Sequence, residues 1–297
     1  MTASQSQKQT ASTFGYEWHQ IEAFDTPAQR KMTREWLIER YGDIENATWW
    51  AEYGERPRVL DVGCGAGLTA IEMFGSRLTK IDYLGIDISE AYKVAAERFQ
   101  KYGLPGRHRQ ADMTDNDLPK SSFDVILAEG TLHHTDSTEN ALHYVSGLLA
   151  PGGRFMFYVY RKKGPIREFS DDYIRAKLTD MSPEEAWRAM IPLTKLGIAL
   201  GALNIEVDVP EKIDLLEIPA GKINLQRLFY WHVFKAFYRP EMTLEEMNHT
   251  NFDWYAPANA HRQTLSEVTS WSASCNLVME RIVEQESGIT IIAKKTG

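Results

Sequence analysis

The spacing of apolar and polar positions changes character several times along this chain. Arg58-Val59-Leu60-Asp61-Val62 is a short apolar run closed by glycines, which predicts a buried strand. Residues 68–74 continue as a helix, and Tyr83-Leu84-Gly85-Ile86-Asp87 is a second strand. Ser89 is placed to cap a helix running through Ala91, Val94, Ala95 and Arg98. Residues 108–112 read as a short third strand and 123–128 as a fourth. A helix over 138–149 puts Leu142, Val145 and Leu149 on one stripe, and Pro151-Gly152-Gly153 then turns the chain into a fifth strand over 154–160. Strands alternating with helices predict a parallel sheet covered on both faces.

That alternation stops at Arg161. Residues 161–262 carry helical periodicity without a βαβ unit, and Thr264-Leu265-Ser266-Glu267 then marks a new helix start of the capping-box type. Strand signals at 277–283 and 289–293, separated only by 284–288, predict an antiparallel hairpin at a sheet edge. Ahead of the first strand, residues 14–50 hold Trp18, Trp36, Trp49 and Trp50 and read as helical, behind a polar start, MTASQSQKQTAST, expected to be mobile. The division is therefore a helical N-terminal extension (1–50), a ligand-binding core (51–160), a helical insertion expected to act as a lid (161–262), and a helix with a strand hairpin completing the core (263–297). The fold class is α/β, doubly wound, with a seven-stranded, mostly parallel sheet whose final strand is antiparallel.

Composition narrows the function classes. With 43% apolar and 25% charged residues, the chain is neither collagen-like, coiled-coil nor wholly disordered. Its 33 basic against 41 acidic residues give a net charge of −8, which argues against nucleic acid as a partner, because the phosphate backbone rewards Lys and Arg. Two cysteines, Cys64 and Cys275, are too few for a disulfide scaffold and suit a reducing, cytoplasmic setting. The longest apolar stretch, 196–203, is bounded by Lys195 and Asn204, far short of the roughly 20 residues of a membrane span. No apolar segment suggests a secretory signal at the N-terminus.

The sharpest chemical feature is Asp61-Val62-Gly63-Cys64-Gly65-Ala66-Gly67, a strand that runs into glycines and then a helix. Glycines allow a tight turn and close approach of a ligand to the main chain. In the dinucleotide fingerprint G-x-G-x-x-G, Gly63 and Gly65 fit but the sixth position is Leu68. Asp61 would repel a pyrophosphate and attract an ammonium group. A ligand with a cationic amino-acid end and an adenosine further along is S-adenosylmethionine.

These residues resemble the first motif of class I S-adenosylmethionine-dependent methyltransferases, and later motifs follow in order over 56–160, with the topology continuing over 264–295. The resemblance implies a cofactor site. Asp61, Gly63, Cys64 and Gly65 form its loop, and Asp87 takes the ribose hydroxyls. Ile88 lies beside the adenine, Asp112 on its amino group and Met113 against the ring, while Glu129 faces the methionine half. Cys64 is a small loop residue rather than a nucleophile, with no basic partner evident. In this family segments before the first strand fold over the cofactor, which points to Tyr16 and Trp18.

Methyl transfer from a sulfonium is an in-line displacement that needs positioning and, for many acceptors, a base. Gly130-Thr131-Leu132-His133-His134-Thr135 follows the fourth strand and resembles an element found there in small-molecule methyltransferases; His134, then His133, are the candidate bases. The remaining histidines show no metal-ligand spacing, so no metal is expected. Nine aromatics between 229 and 255 suit an apolar acceptor cavity, with Tyr230, Trp231 and Tyr255 as candidates, and Arg161 begins a basic run suited to an anionic acceptor group unless nearby acids absorb it. The expected function is methyl transfer from S-adenosylmethionine to a small organic acceptor on O, C or N, in specialised metabolism, with a homodimer left open. The rival readings are a nucleic-acid methyltransferase, a catalytically silent cofactor-binding subunit, and a nicotinamide oxidoreductase.

Overall fold

The computed structural model describes residues 4–19 and 27–297, with side chains over 4–16 and 30–297. The chain divides into two compact units. Among the described residues, unit 1 holds 4–7, 18–19, 27–161 and 261–297, and unit 2 holds 8–17 and 162–260.

Unit 1 is built on a seven-stranded sheet. Its strands are β1 (Arg58–Val62), β2 (Asp82–Asp87), β3 (Arg107–Gln110), β4 (Phe123–Glu129), β5 (Leu149–Tyr160), β8 (Leu277–Glu284) and β9 (Gly288–Lys295), in the order β3-β2-β1-β4-β5-β9-β8. Neighbours among β1–β5 pair in parallel; β9 runs antiparallel to β5 and to β8, which forms the edge. The doubly wound architecture with an antiparallel final strand is therefore the one the sequence pattern implies. β5 begins earlier than expected, because Leu149 pairs with Phe123 ahead of a register shift.

Why the central strands read as unbroken apolar runs is visible in their burial. One sheet face packs Leu60, Ile86, Ile126, Phe155 and Ile291 against Leu142 and Val145 of α5 (Thr138–Leu148) and Val268 of α10 (Leu265–Ser274). A parallel sheet covered on both faces leaves no polar side on the strand. On the other face Tyr83 stacks on Phe99 of α4 (Ala91–Lys101), with ring centroids 5.1 Å apart. α2 (Pro27–Tyr41) and α3 (Leu68–Phe74) complete the helices ahead of β2. The capping box at Thr264 is formed: its hydroxyl accepts the Glu267 N–H at 3.2 Å, and Glu267 accepts the Thr264 N–H at 2.7 Å.

Unit 2 contains α6 (Pro165–Leu178), α7 (Pro183–Leu203), α8 (Leu225–His232) and α9 (Leu244–Tyr255). It also holds a two-stranded antiparallel sheet, β6 (Glu206–Val209) with β7 (Gly221–Asn224), so the insertion is not wholly helical as expected. A second correction concerns the polar start. Residues 5–19 form α1 (Gln5–His19). Within unit 2 its polar side chains grip backbone: Gln9 donates to the Ala256 carbonyl at 3.0 Å, and Thr10 accepts the Asn259 N–H at 3.0 Å. Polar residues thus order this helix by hydrogen bonding where an apolar stripe is missing. Among the described residues no helix is long and apolar enough to cross a membrane.

Candidate functional site

The glycine loop sits at the carboxyl end of β1, where open α/β sheets bind ligands. Gly63, Gly65 and Gly67 all have left-handed backbones, with φ of 72°, 49° and 78°. The Ile86 carbonyl of β2 accepts the Gly63 and Cys64 N–H groups at 2.8 and 3.0 Å, which fastens the loop to the neighbouring strand. Asp87 extends that fastening. Its Oδ2 accepts the Gly65 N–H at 3.0 Å, and its Oδ1 accepts the Ser89 N–H and hydroxyl at 2.8 and 2.7 Å. Ser89 in turn accepts the Ala91 N–H at 3.2 Å, so it serves the helix start from one residue ahead of the cap position. Burial holds the Asp87 carboxyl above its ordinary range against these three bonds.

Asp61 is buried beneath the loop and accepts the Tyr83 hydroxyl at 2.7 Å. Burial pushes its carboxyl up to about 7, opposed by Tyr83 and reinforced by Asp87. Glu129 ends β4. In the β1–β4 register Asp61 lies opposite Leu127, so Glu129, two residues on, faces the same side of the sheet as Asp61. Its Oε2 accepts the Tyr41 hydroxyl, while its Oε1 is sealed from solvent and has no hydrogen-bond partner. Burial pushes this carboxyl also up to about 7, with Arg40 lowering it and Asp61 raising it. Two acids are thus held in the same strand pair with phenols as their hydrogen-bond donors.

The histidines follow on the same face. Glu129 pairs with Tyr158 of β5, and Tyr160 lies two residues further along. The His133 ring centroid is 3.8 Å from that of Tyr160 and 4.2 Å from that of His134. Both histidines are buried, and their backbones are pinned: the His133 carbonyl accepts the His261 N–H at 2.9 Å, and the His134 N–H reaches the Thr131 carbonyl at 3.0 Å.

The other expected site residues fall as follows. Cys64 is buried and its thiol is pushed well up by burial, which suits a packing role in the loop. Ile88 is half-buried, and its carbonyl accepts Gln110 Nε2 at 2.9 Å. Asp112 lies just past β3 and spends Oδ1 on the Thr114 N–H and hydroxyl, both at 2.8 Å; Met113 packs partly buried against the core. Tyr16 belongs to unit 2, with its ring 6.1 Å from Phe252, and the Trp18 side chain lies outside the described residues. Arg161 pairs within unit 1 with Glu284 at 2.8 Å and Glu286 at 3.5 Å.

In unit 2, Tyr255 is fully buried; its hydroxyl donates to Asp171 at 2.9 Å and accepts the Lys235 N–H at 2.7 Å, the bonding of a core residue rather than of a cavity wall. Asp171 also receives Trp254 Nε1 at 2.9 Å and pairs with Arg167 at 2.8 Å, so this acid answers the last charge of the basic run. Tyr230 and Trp231 remain half-buried, in edge contact at 4.5 Å. Among the described residues no group of three potential metal ligands comes together. Sequence reasoning missed Tyr41, Arg40, Tyr83 and Tyr158, whose parts emerge only from long-range pairing.

Residues 60–155 match a family model described as a methyltransferase domain. The chain is 37% identical over 95 residues to an uncharacterised methyltransferase of Mycobacterium tuberculosis, covering 32% of this chain and 46% of that one. It is 35% identical over 100 residues to the 27-O-demethylrifamycin SV methyltransferase of Amycolatopsis mediterranei, covering 33% and 36%. The chain thus spans about half or less of the length of these relatives. A solved structure similar to this chain is the magnesium protoporphyrin IX methyltransferase of Synechocystis PCC 6803, at 12% identity and a TM-score of 0.49 over 98% of each chain. The matched segment carries the glycine loop, Asp61, Asp87 and Glu129, and over that segment the chain is similar to methyltransferase domains.

Proposed function

We propose that this protein transfers a methyl group from S-adenosylmethionine to a small organic acceptor on O, C or N. The carrying observation is the pair Asp61 and Glu129, two buried carboxyls near neutrality that share a sheet face beside a glycine loop. A dinucleotide pyrophosphate would meet repulsion there, whereas the methionine ammonium completes the pair. Gly63, Cys64 and Gly65 supply a main-chain cradle, and Asp87 faces the ribose from the end of β2. When bound, the cofactor supplies an electrophilic methyl on a sulfonium.

The chain's own residues then position the acceptor and manage its proton. His134 and His133, tilted against each other past the carboxyl end of β4, are the proton acceptors of this reading. Their buried, pinned setting holds a ring in one place, which is what in-line transfer asks of a base. Tyr230 and Trp231 are the acceptor-side candidates left after Tyr255 and Arg161 are assigned to internal networks. The net charge of −8 and the named activity of the rifamycin relative favour a small molecule over a nucleic acid. Cytoplasmic location and a place in specialised metabolism belong to the same reading.

Calorimetric titration with S-adenosylhomocysteine tests the cofactor, and methyl release onto a panel of small phenols, amines and carbon acids tests the acceptor class. Failure to bind S-adenosylhomocysteine, or tight binding of NAD in its place, would overturn the proposal.

A further inference from the structure

Tyr41 closes α2, outside every motif that carries the cofactor reading, yet its hydroxyl is the donor to Glu129 Oε2. Tyr41 is buried, and the residue before it is buried Arg40, whose guanidinium lies 4.2 Å from the Tyr158 ring centroid and 3.7 Å from that of Trp36. Tyr158 is the β5 partner of Glu129. The end of α2 therefore clamps Glu129 from two sides: a phenol bonds one carboxylate oxygen, and a guanidinium stacks over the neighbouring residue. The second oxygen, Oε1, stays sealed and without a hydrogen-bond partner on the face that Asp61 shares.

We propose that Tyr41 is a positioning residue, which orients Glu129 so that Oε1 and Asp61 together receive the cationic end of the cofactor. The inference rests on the cofactor reading above and adds the N-terminal helix to the binding machinery. It follows from the bonding of a carboxylate. Left alone in a closed space, Glu129 would take up a proton and turn into a donor, useless to an ammonium. One hydrogen bond from Tyr41 favours the ionised form, Arg40 favours it further by its charge, and Asp61 opposes it. These three, with Tyr158 from β5, are the titratable and charged groups that face Glu129 from α2, β1 and β5. The hydroxyl thus decides at what pH Glu129 is ready to receive a cation.

The test is calorimetric titration of the folded protein with S-adenosylhomocysteine at several values between about pH 5.5 and pH 8.5. For the parent, affinity should fall below a midpoint near neutrality by about ten- to a hundredfold per pH unit, because Glu129 and Asp61 both give up protons to receive the ligand. Tyr41→Phe should move that midpoint to higher pH, binding several-fold weaker at neutral pH and within about threefold of the parent at the alkaline end. In a Glu129→Gln background the same substitution should shift no midpoint. Glu129→Asp, which keeps the charge but falls a methylene short of Tyr41, gives an independent reading and should weaken binding near neutral pH. A parent that binds while Tyr41→Phe keeps its midpoint overturns this inference alone. So does a uniform loss at every pH, the mark of a merely structural helix anchor. A parent that fails to bind at any pH overturns the cofactor reading itself.

Discussion

Gly63→Ala is a sharp probe of the loop, since both parts of its cost can be worked from geometry. Gly63 has φ of 72°, and a Cβ there would lie 2.1 Å from Thr131 Oγ1 and 2.6 Å from Thr131 Cβ. The left-handed backbone costs a non-glycine residue about 1–2 kcal/mol. Forcing the Thr131 contact apart adds about 1–3 kcal/mol, as overpacking does elsewhere. The sum, about 2–5 kcal/mol, is a large share of the stability of an ordinary domain. It should appear as a lower urea midpoint with unchanged slope, followed by tryptophan fluorescence. Thr131→Gly removes all three atoms that the new Cβ would meet, so the double variant should recover the contact part and retain only the backbone part. The reasoning is refuted if Gly63→Ala keeps the parent's midpoint, or if Thr131→Gly restores nothing.

Asp87→Ala should weaken S-adenosylhomocysteine binding by about ten- to a thousandfold in calorimetry, because it removes charged acceptors and unfastens Gly65 from β2. His134→Ala should lower turnover by about 10²–10⁴ with cofactor affinity nearly unchanged, and full turnover would pass the proton to His133 or to positioning alone. Asp171→Ala should cost about 3–5 kcal/mol in urea unfolding, since it strands Arg167 at 1% exposure inside unit 2. The ligand-free protein should melt lower at about pH 8 than at about pH 6.5. Asp61 and Glu129 hold protons up to about 7 when folded but release them in the ordinary carboxylate range when unfolded, so stability falls as pH rises through that window. Buried His108 and His249, lowered to about 4, act the opposite way only below their unfolded value, outside it.

The sheet was legible because burial on both faces leaves near-continuous apolar runs, as at 58–62 and 123–128, and the glycine loop because its residue types admit few other uses. The bonding of the site was not. Tyr41 stands 88 residues from Glu129, and no local pattern announces a phenol as a carboxylate's partner. Arg161 looked poised for an acceptor by its place after β5, but its counter-charges, Glu284 and Glu286, come from the far end of the chain. β6 and β7 went unseen because each is four residues long: the alternation of Glu206-Val207-Asp208-Val209 is too short to stand out, and Gly221-Lys222-Ile223-Asn224 has none. The polar start failed the apolar-stripe test for a helix, since α1 is tied down by Gln9 and Thr10 rather than by hydrophobic packing.

Asp171 of unit 2 and the Asp61–Glu129 pair of unit 1 treat buried charge in opposite ways, and the contrast separates architecture from function. In unit 2, Asp171 is met by a guanidinium, an indole N–H and a phenol, so its charge and its lone pairs are answered from within. Such a group stabilises a fold and has nothing left to offer a ligand. In unit 1, Asp61 and Glu129 are each bonded by a phenol, and the buried guanidinium that attracts Glu129 is Arg40, stacked on Tyr158 and Trp36. Arg40 draws Glu129 toward its charged form, whereas Asp87 pushes Asp61 further from its own, so the pair is short of positive charge. Until that charge arrives, desolvation is relieved by protons, which is why both groups titrate near neutrality. The ammonium that S-adenosylmethionine shares with S-adenosylhomocysteine has the sign of charge that the pair lacks.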